Sequence, residues 1–143
     1  MDRNNNFSAG TAIVTADAEI APVTIIVCSS CRDENGSDAH PRAGAVLAEA
    51  THTAARDNQA IEVRTVECLG NCKRRLSAAL LRDDCWSYVF GDLTIESGSD
   101  LVAGAELFAT SQDGLIPWRG RPDSLKRGLV ARIPPLAVLK DQT

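Results

Sequence analysis

The 143-residue sequence lacks the marks of export. Its start, MDRNNNFSAGTAIVTADAEIAP, has neither a basic opening that leads into an apolar run nor a small-residue cleavage pattern, so no signal peptide is expected. No stretch reaches the ~18 consecutive apolar residues that a spanning helix takes. Excess positive charge is also missing: fifteen Lys and Arg stand against nineteen Asp and Glu, a net charge of −4. General attraction to nucleic acid or to an anionic membrane is therefore not expected. A second basic set, Arg119, Arg121, Lys126, Arg127 and Arg132, could bind an anion. With few aromatics in the chain (4%), these residues read as scattered cations without stacking partners, which again points away from nucleic acid. Familiar catalytic motifs are absent: no Walker loop, dinucleotide fingerprint, zinc-protease helix or hydrolase elbow. The two histidines, His40 and His52, have no Cys-x-His partner of the Rieske kind and read as loop and helix surface. The expectation is a cytoplasmic protein of one domain that carries no catalytic residue.

What the sequence does have is two close pairs of cysteines, in IIVCSSCRDENG and in VECLGNCKRR, and a fifth, Cys85. Five is an odd number, and disulfides are rare in a reducing cytosol. The pairs Cys28/Cys31 and Cys68/Cys72 therefore point first to metal binding or redox chemistry.

Periodicity places these pairs in an α/β domain over residues 22–135, between a flexible arm over residues 1–21 and a tail over 136–143. Val23 to Val27 form a short β-branched run that suits a buried strand. A polar loop follows, with Pro41 fitting the first position of a helix. The helix, RAGAVLAEATHTAARD, carries Ala43, Val46, Leu47, Ala50 and Ala54 on its apolar face. IEVRTVEC is a second strand with alternating Ile61, Val63 and Thr65. LSAALL and CWSYVF read as an antiparallel hairpin with Trp86, Tyr88 and Phe90 on one face and Cys85 opening the second strand. SGSDLVAGAELFATSQDG is a helix that buries Leu101, Val102, Ala105 and Phe108. A short helix follows Pro122, and then an irregular tail. There is no internal repeat. The order βαβ, then a β-hairpin, then a C-terminal helix describes a small α/β sandwich.

A right-handed βαβ crossover brings two parallel strands to one sheet edge with their C-terminal ends together. Both cysteine pairs lie just past those ends, so they are expected to face each other although about 40 residues separate them in the chain. Four soft thiolates there suit zinc or an iron–sulfur cluster rather than Mg²⁺ or Ca²⁺. The unequal Cys-x2-Cys and Cys-x3-Cys spacings fit a [2Fe-2S] cluster, with two thiolates on each iron, and leave zinc as the alternative. Gly70 allows a backbone amide to approach sulfur. A thiol oxidoreductase is the rival reading. Its Cys-x-x-Cys would open a helix that lowers the thiol pKa, whereas nine residues lie between Cys31 and Pro41. Cys85 reads as a packing residue, able to replace Cys31 if the first loop turns away.

Cys28 and Cys31 after a first strand, with CLGNC after a second, resemble the thioredoxin-like [2Fe-2S] ferredoxins. VCSSCR, VECLGNCKR, YVFGDL, DGLIPWRGRP and ARIPP are more closely similar to an uncharacterised bacterial family of predicted metal-binding proteins of that fold, some of which sit beside cobalamin-synthesis genes. The resemblance implies a thioredoxin-like fold and a cluster ligated by Cys28, Cys31, Cys68 and Cys72. It departs in two places. The ferredoxins leave a longer gap between their first two cysteines, and relatives often have a further cysteine where Leu76 stands here. The function implied is electron transfer to a redox partner protein. Lys73, Arg74 and Arg75 would attract an acidic partner and raise the cluster potential. The alternative is a metal-handling module, linked through the resemblance to cobalamin synthesis.

Overall fold

The computed structural model describes residues 21–33 and 35–140. The arm expected over residues 1–21 falls, apart from Ala21, outside the described residues, as do the last three residues of the tail. Strand β1 (Val23–Cys28) is followed by helix α1 (Ala43–Ala55), strand β2 (Ile61–Val66), strands β3 (Ala78–Leu81) and β4 (Ser87–Phe90), and helix α2 (Gly98–Ala109). A short helix α3 (Asp123–Arg127), strand β5 (Leu129–Ile133) and a last turn of helix α4 (Leu136–Lys140) complete the described chain. They form one mixed five-stranded sheet in the order β2-β1-β3-β4-β5. β1 and β2 are parallel, with Cys28 opposite Val66. β3 runs antiparallel on the other side of β1, with Val27 opposite Ala78.

Alternation along β1 turns Val23, Ile25 and Val27 into the core, each at most 1% exposed, where each buried aliphatic side chain contributes roughly 1.5–3 kcal/mol. Thr24 and Ile26, which point the other way, are half-buried. Helices α1 and α2 pack together on the core side, so closely that a Cβ on Gly98 would lie 2.8 Å from the backbone of Ala50. α2 buries the expected Leu101, Val102, Ala105 and Phe108, and Phe108 meets Tyr88 edge to face at 5.6 Å.

Four expectations are corrected. The buried stripe of α1 is Gly44, Leu47, Ala48, Thr51 and Ala55, rotated by one residue from the stripe of Ala and Val. Thr51 can be buried because its hydroxyl donates to the Leu47 carbonyl at 2.7 Å, which removes the desolvation cost. Pro41 stands two residues ahead of α1 rather than at its first position. Cys85 lies in the turn between β3 and β4, not in a strand. The segment after α3 is not irregular, because Leu129–Ile133 pairs with β4 as an edge strand. The strand's largely exposed residues give no clear two-residue alternation to read.

Candidate functional site

β1 and β2 both end at the same edge of the sheet, and the chain beyond them is tied together by backbone bonds. Ser29 N–H donates to Val66 O at 2.8 Å and Ser30 N–H to Glu67 O at 3.2 Å. The hydroxyls of Ser29 and Ser30 reinforce the same two carbonyls. Residues 67–77 then leave β2, pass over the end of β1 and enter β3 on its far side. The second cysteine loop therefore spans the strand that carries the first pair.

Within this edge the thiols form two pairs. The Cys31 thiol donates to the Cys28 sulfur at 3.1 Å, and Cys28 in turn donates to the Glu67 carbonyl at 3.4 Å. Both are buried. Cys68 and Cys72 are exposed, with their sulfurs 3.9 Å apart. Gly70, at φ +78°, aims its amide at the Cys68 sulfur at 3.2 Å, a turn that strains a residue with a side chain. Among the described residues, no three Cys, His, Asp or Glu side chains gather as the ligands of a single ion would. The arrangement is two separate pairs at one sheet edge rather than one fourfold nest.

The electrostatics of the pairs are coupled. Burial first, then the hydrogen bond and charge of Cys28, push the Cys31 thiol up to about 12, against a backbone hydrogen bond from Ser77 that favours the thiolate. Cys72 is also raised, first by its hydrogen bond with Cys68 and then by that residue's charge, while Arg75 opposes. The charge of Cys72 acts on Cys31 and that of Cys28 on Cys72, so the pairs lie within electrostatic reach of each other. A soft cation in place of the protons would relieve this mutual repulsion, as expected of a thiolate metal site.

Several supporting residues gave little warning in the sequence. Gly44, in the first turn of α1, lies against the Cys28–Cys31 turn, and its amide donates to the Cys31 carbonyl at 3.0 Å. The start of a helix thus does reach CSSC across the intervening loop, contrary to the sequence expectation, but it bonds a carbonyl rather than a sulfur. A glycine interrupting a helical pattern was the one available signal. Ser77 looked like an ordinary strand residue. Its carbonyl accepts the Cys28 N–H at 3.1 Å, and its hydroxyl accepts from Asn71 at 3.0 Å, which links the two cysteine loops. Leu76 is fully buried and exchanges backbone bonds with Leu93.

Cys85 cannot replace Cys31. It follows β3, whose last residue Leu81 pairs with Thr24 near the start of β1, so it lies at the opposite end of the sheet, beside Gly114. Among the three cations after Cys72, Arg74 is held by Asp92 at 2.7 Å and reaches the Arg127 carbonyl at 3.4 Å. Arg75 acts on Cys72, and Lys73 is exposed. His40 and His52 are exposed, as expected.

The fold is similar to that of two solved structures, both described as thioredoxin-like [2Fe-2S] ferredoxins from Aquifex aeolicus. One is 13% identical, with a TM-score of 0.51 over 80% of this chain and 96% of that one. The other, the wild type, is 14% identical, with a TM-score of 0.52 over 78% and 98%. At these identities the likeness establishes the α/β thioredoxin-like fold. No protein of curated function matches the sequence. No helix among the described residues is long and apolar enough to cross a membrane. Residues 25–135 match the model of a family described as "Protein of unknown function (DUF1636)", and the chain belongs to that family.

Proposed function

We propose that this protein is an electron carrier in which Cys28, Cys31, Cys68 and Cys72 hold a [2Fe-2S] cluster. The observation that supports this reading best is the division of the thiols into two pairs, 3.1 and 3.9 Å apart within each pair and within electrostatic reach of each other, since a cluster of this type takes two thiolates on each iron. A single zinc ion would instead ask four sulfurs to surround one point. When bound, the cluster supplies one-electron redox chemistry. The chain's part is to hold and tune the sulfurs. Ser77 and Gly70 direct amides at Cys31 and Cys68, which favours negative charge on sulfur.

The inner pair is buried and the outer pair is exposed, so an electron would enter and leave on the Cys68/Cys72 side. Lys73 and Arg75 at that rim would favour an acidic redox partner. Cys28 and Cys31 are both buried, which weighs against a thiol oxidoreductase, whose reactive thiol is partly exposed.

The test is the iron, sulfide and zinc content of protein isolated without oxygen, read beside its visible and EPR spectra. About two irons and two sulfides per chain, with an EPR signal on reduction, are expected. A colourless protein with stoichiometric zinc would reject electron carriage. Metal that exchanged readily would favour the metal-handling alternative.

A further inference from the structure

The basic residues near the C-terminal end are not scattered. Residues 115–133 hold five Lys or Arg and one Asp in a chain whose net charge is −4, and the fold gathers three of these cations on aromatic rings. The Arg121 guanidinium lies 5.2 Å from the centre of the Trp118 ring, and Lys126 lies 5.1 Å from the same ring. Arg121 also stands 5.7 Å from the Tyr88 ring. Arg132, opposite Tyr88 in the β4–β5 ladder, covers Trp86 at 4.6 Å. The result is a run of cation–ring contacts on the β5 side of the sheet, in which Trp86, Arg132, Trp118 and Lys126 reach the surface and the buried Tyr88 and Arg121 lie beneath them.

Two features separate this surface from an ordinary solvated charge run. Arg121 is only 8% exposed and is fixed by the carbonyls of Pro117 at 3.2 Å and Ile116 at 2.6 Å, so a positive charge is built into the wall. Ion pairs among the described residues form at Arg64–Glu62 and Arg74–Asp92, so among those residues none of these cations has an acidic partner. Trp118 is 60% exposed beside them. An exposed indole flanked by arginine and lysine has the composition of an interface hot spot.

We propose that the surface formed by Trp86, Arg121, Arg132, Trp118 and Lys126 is a docking face for an acidic segment of a partner protein. Charge complementarity sets the sign of the partner. Each indole already carries a cation on its π system, which leaves a base less free ring to stack on, and the protein's net charge of −4 also disfavours a polyanionic nucleic acid. The proposal does not depend on a bound cluster, because the face lies apart from the cysteine edge.

The test uses the full chain and a fluorescein-labelled decamer of glutamate, with a neutral glutamine decamer and a thymidine decamer as comparisons. Both tryptophans of the chain lie in this face, so binding must alter intrinsic tryptophan emission as well as peptide anisotropy. The double variant Lys126→Glu/Arg132→Glu should bind the glutamate decamer at least about tenfold more weakly. Arg64→Glu, on β2 at the far edge of the sheet, should bind it like the wild type. Trp118→Ala provides a second probe should the double variant fold poorly, and should also lose affinity. Failure of the wild type to bind at low salt, equal binding by the double variant or by Trp118→Ala, loss of binding in Arg64→Glu, or tighter binding of the thymidine decamer would each overturn the assignment.

Discussion

Gly44 stands directly against Cys28: a Cβ at position 44 would overlap the Cys28 carbonyl oxygen and lie 3.0 Å from the Cys31 amide nitrogen. In an open helix, Gly→Ala stabilises by roughly 0.5–1 kcal/mol. Here the added methyl meets backbone that cannot swing aside, and overpacking of this kind typically costs about 1–3 kcal/mol. Gly44→Ala should therefore lower the urea midpoint. A midpoint that rose would show that α1 does not press on the Cys28–Cys31 turn.

Removing a sulfur tests the ligand set directly. Cys68→Ser and Cys72→Ser should each abolish stable cluster binding, whereas Cys85→Ser, at the other end of the sheet, should leave iron content nearly unchanged. Iron and sulfide assays on anaerobically purified variants give the answer. Retained stoichiometric iron in both of the first two would remove Cys68 and Cys72 from the ligand set.

Metal-free protein should weaken in alkali. The Cys31 thiol ionises near 9.0 when unfolded and is pushed up to about 12 in the fold, so between these values the unfolded chain binds fewer protons than the native one. Stability then falls as pH rises. The contribution is complete below about pH 9 and is lost progressively towards pH 12. The difference in urea stability between wild type and Cys31→Ser, followed from pH 8 upward, isolates this slope from other titrations. A pH-independent difference would contradict it.

Tyr88 connects the sheet to the loop that presents Trp118. Its buried hydroxyl accepts the Ile116 N–H at 2.9 Å, and Phe at this position would leave that amide without a partner. A loss of about 1–3 kcal/mol is expected, together with a shift of tryptophan emission as the loop loosens. Chemical denaturation monitored at both far-UV CD and fluorescence would reveal an unaltered Tyr88→Phe protein if the bond were unimportant.

The βαβ unit, the hairpin and α2 were legible because their signals are local: a β-branched run, an alternating strand and a helical apolar stripe. The juxtaposition of CSSC and CLGNC followed from crossover handedness alone. The roles of Ser77 and Gly44 did not, since each depends on which strand or turn lies opposite, information that no local pattern holds. β5 was missed for a related reason. As a largely exposed edge strand it shows little alternation, and only its pairing with Ser87 to Phe90 across the ladder defines its place. The same pairing turned basic residues that looked dispersed into one surface.

The path of residues 67–77 across the end of β1, anchored in β2 on one flank and β3 on the other, has a kinetic consequence. Moving this loop as a body away from the inner pair breaks backbone bonds on one side of β1 or the other, those of Ser29 and Ser30 or that of Cys28. Separation of the two pairs by that route would be slowed by the ladder bonds of β1, an architecture suited to long residence of whatever both pairs hold.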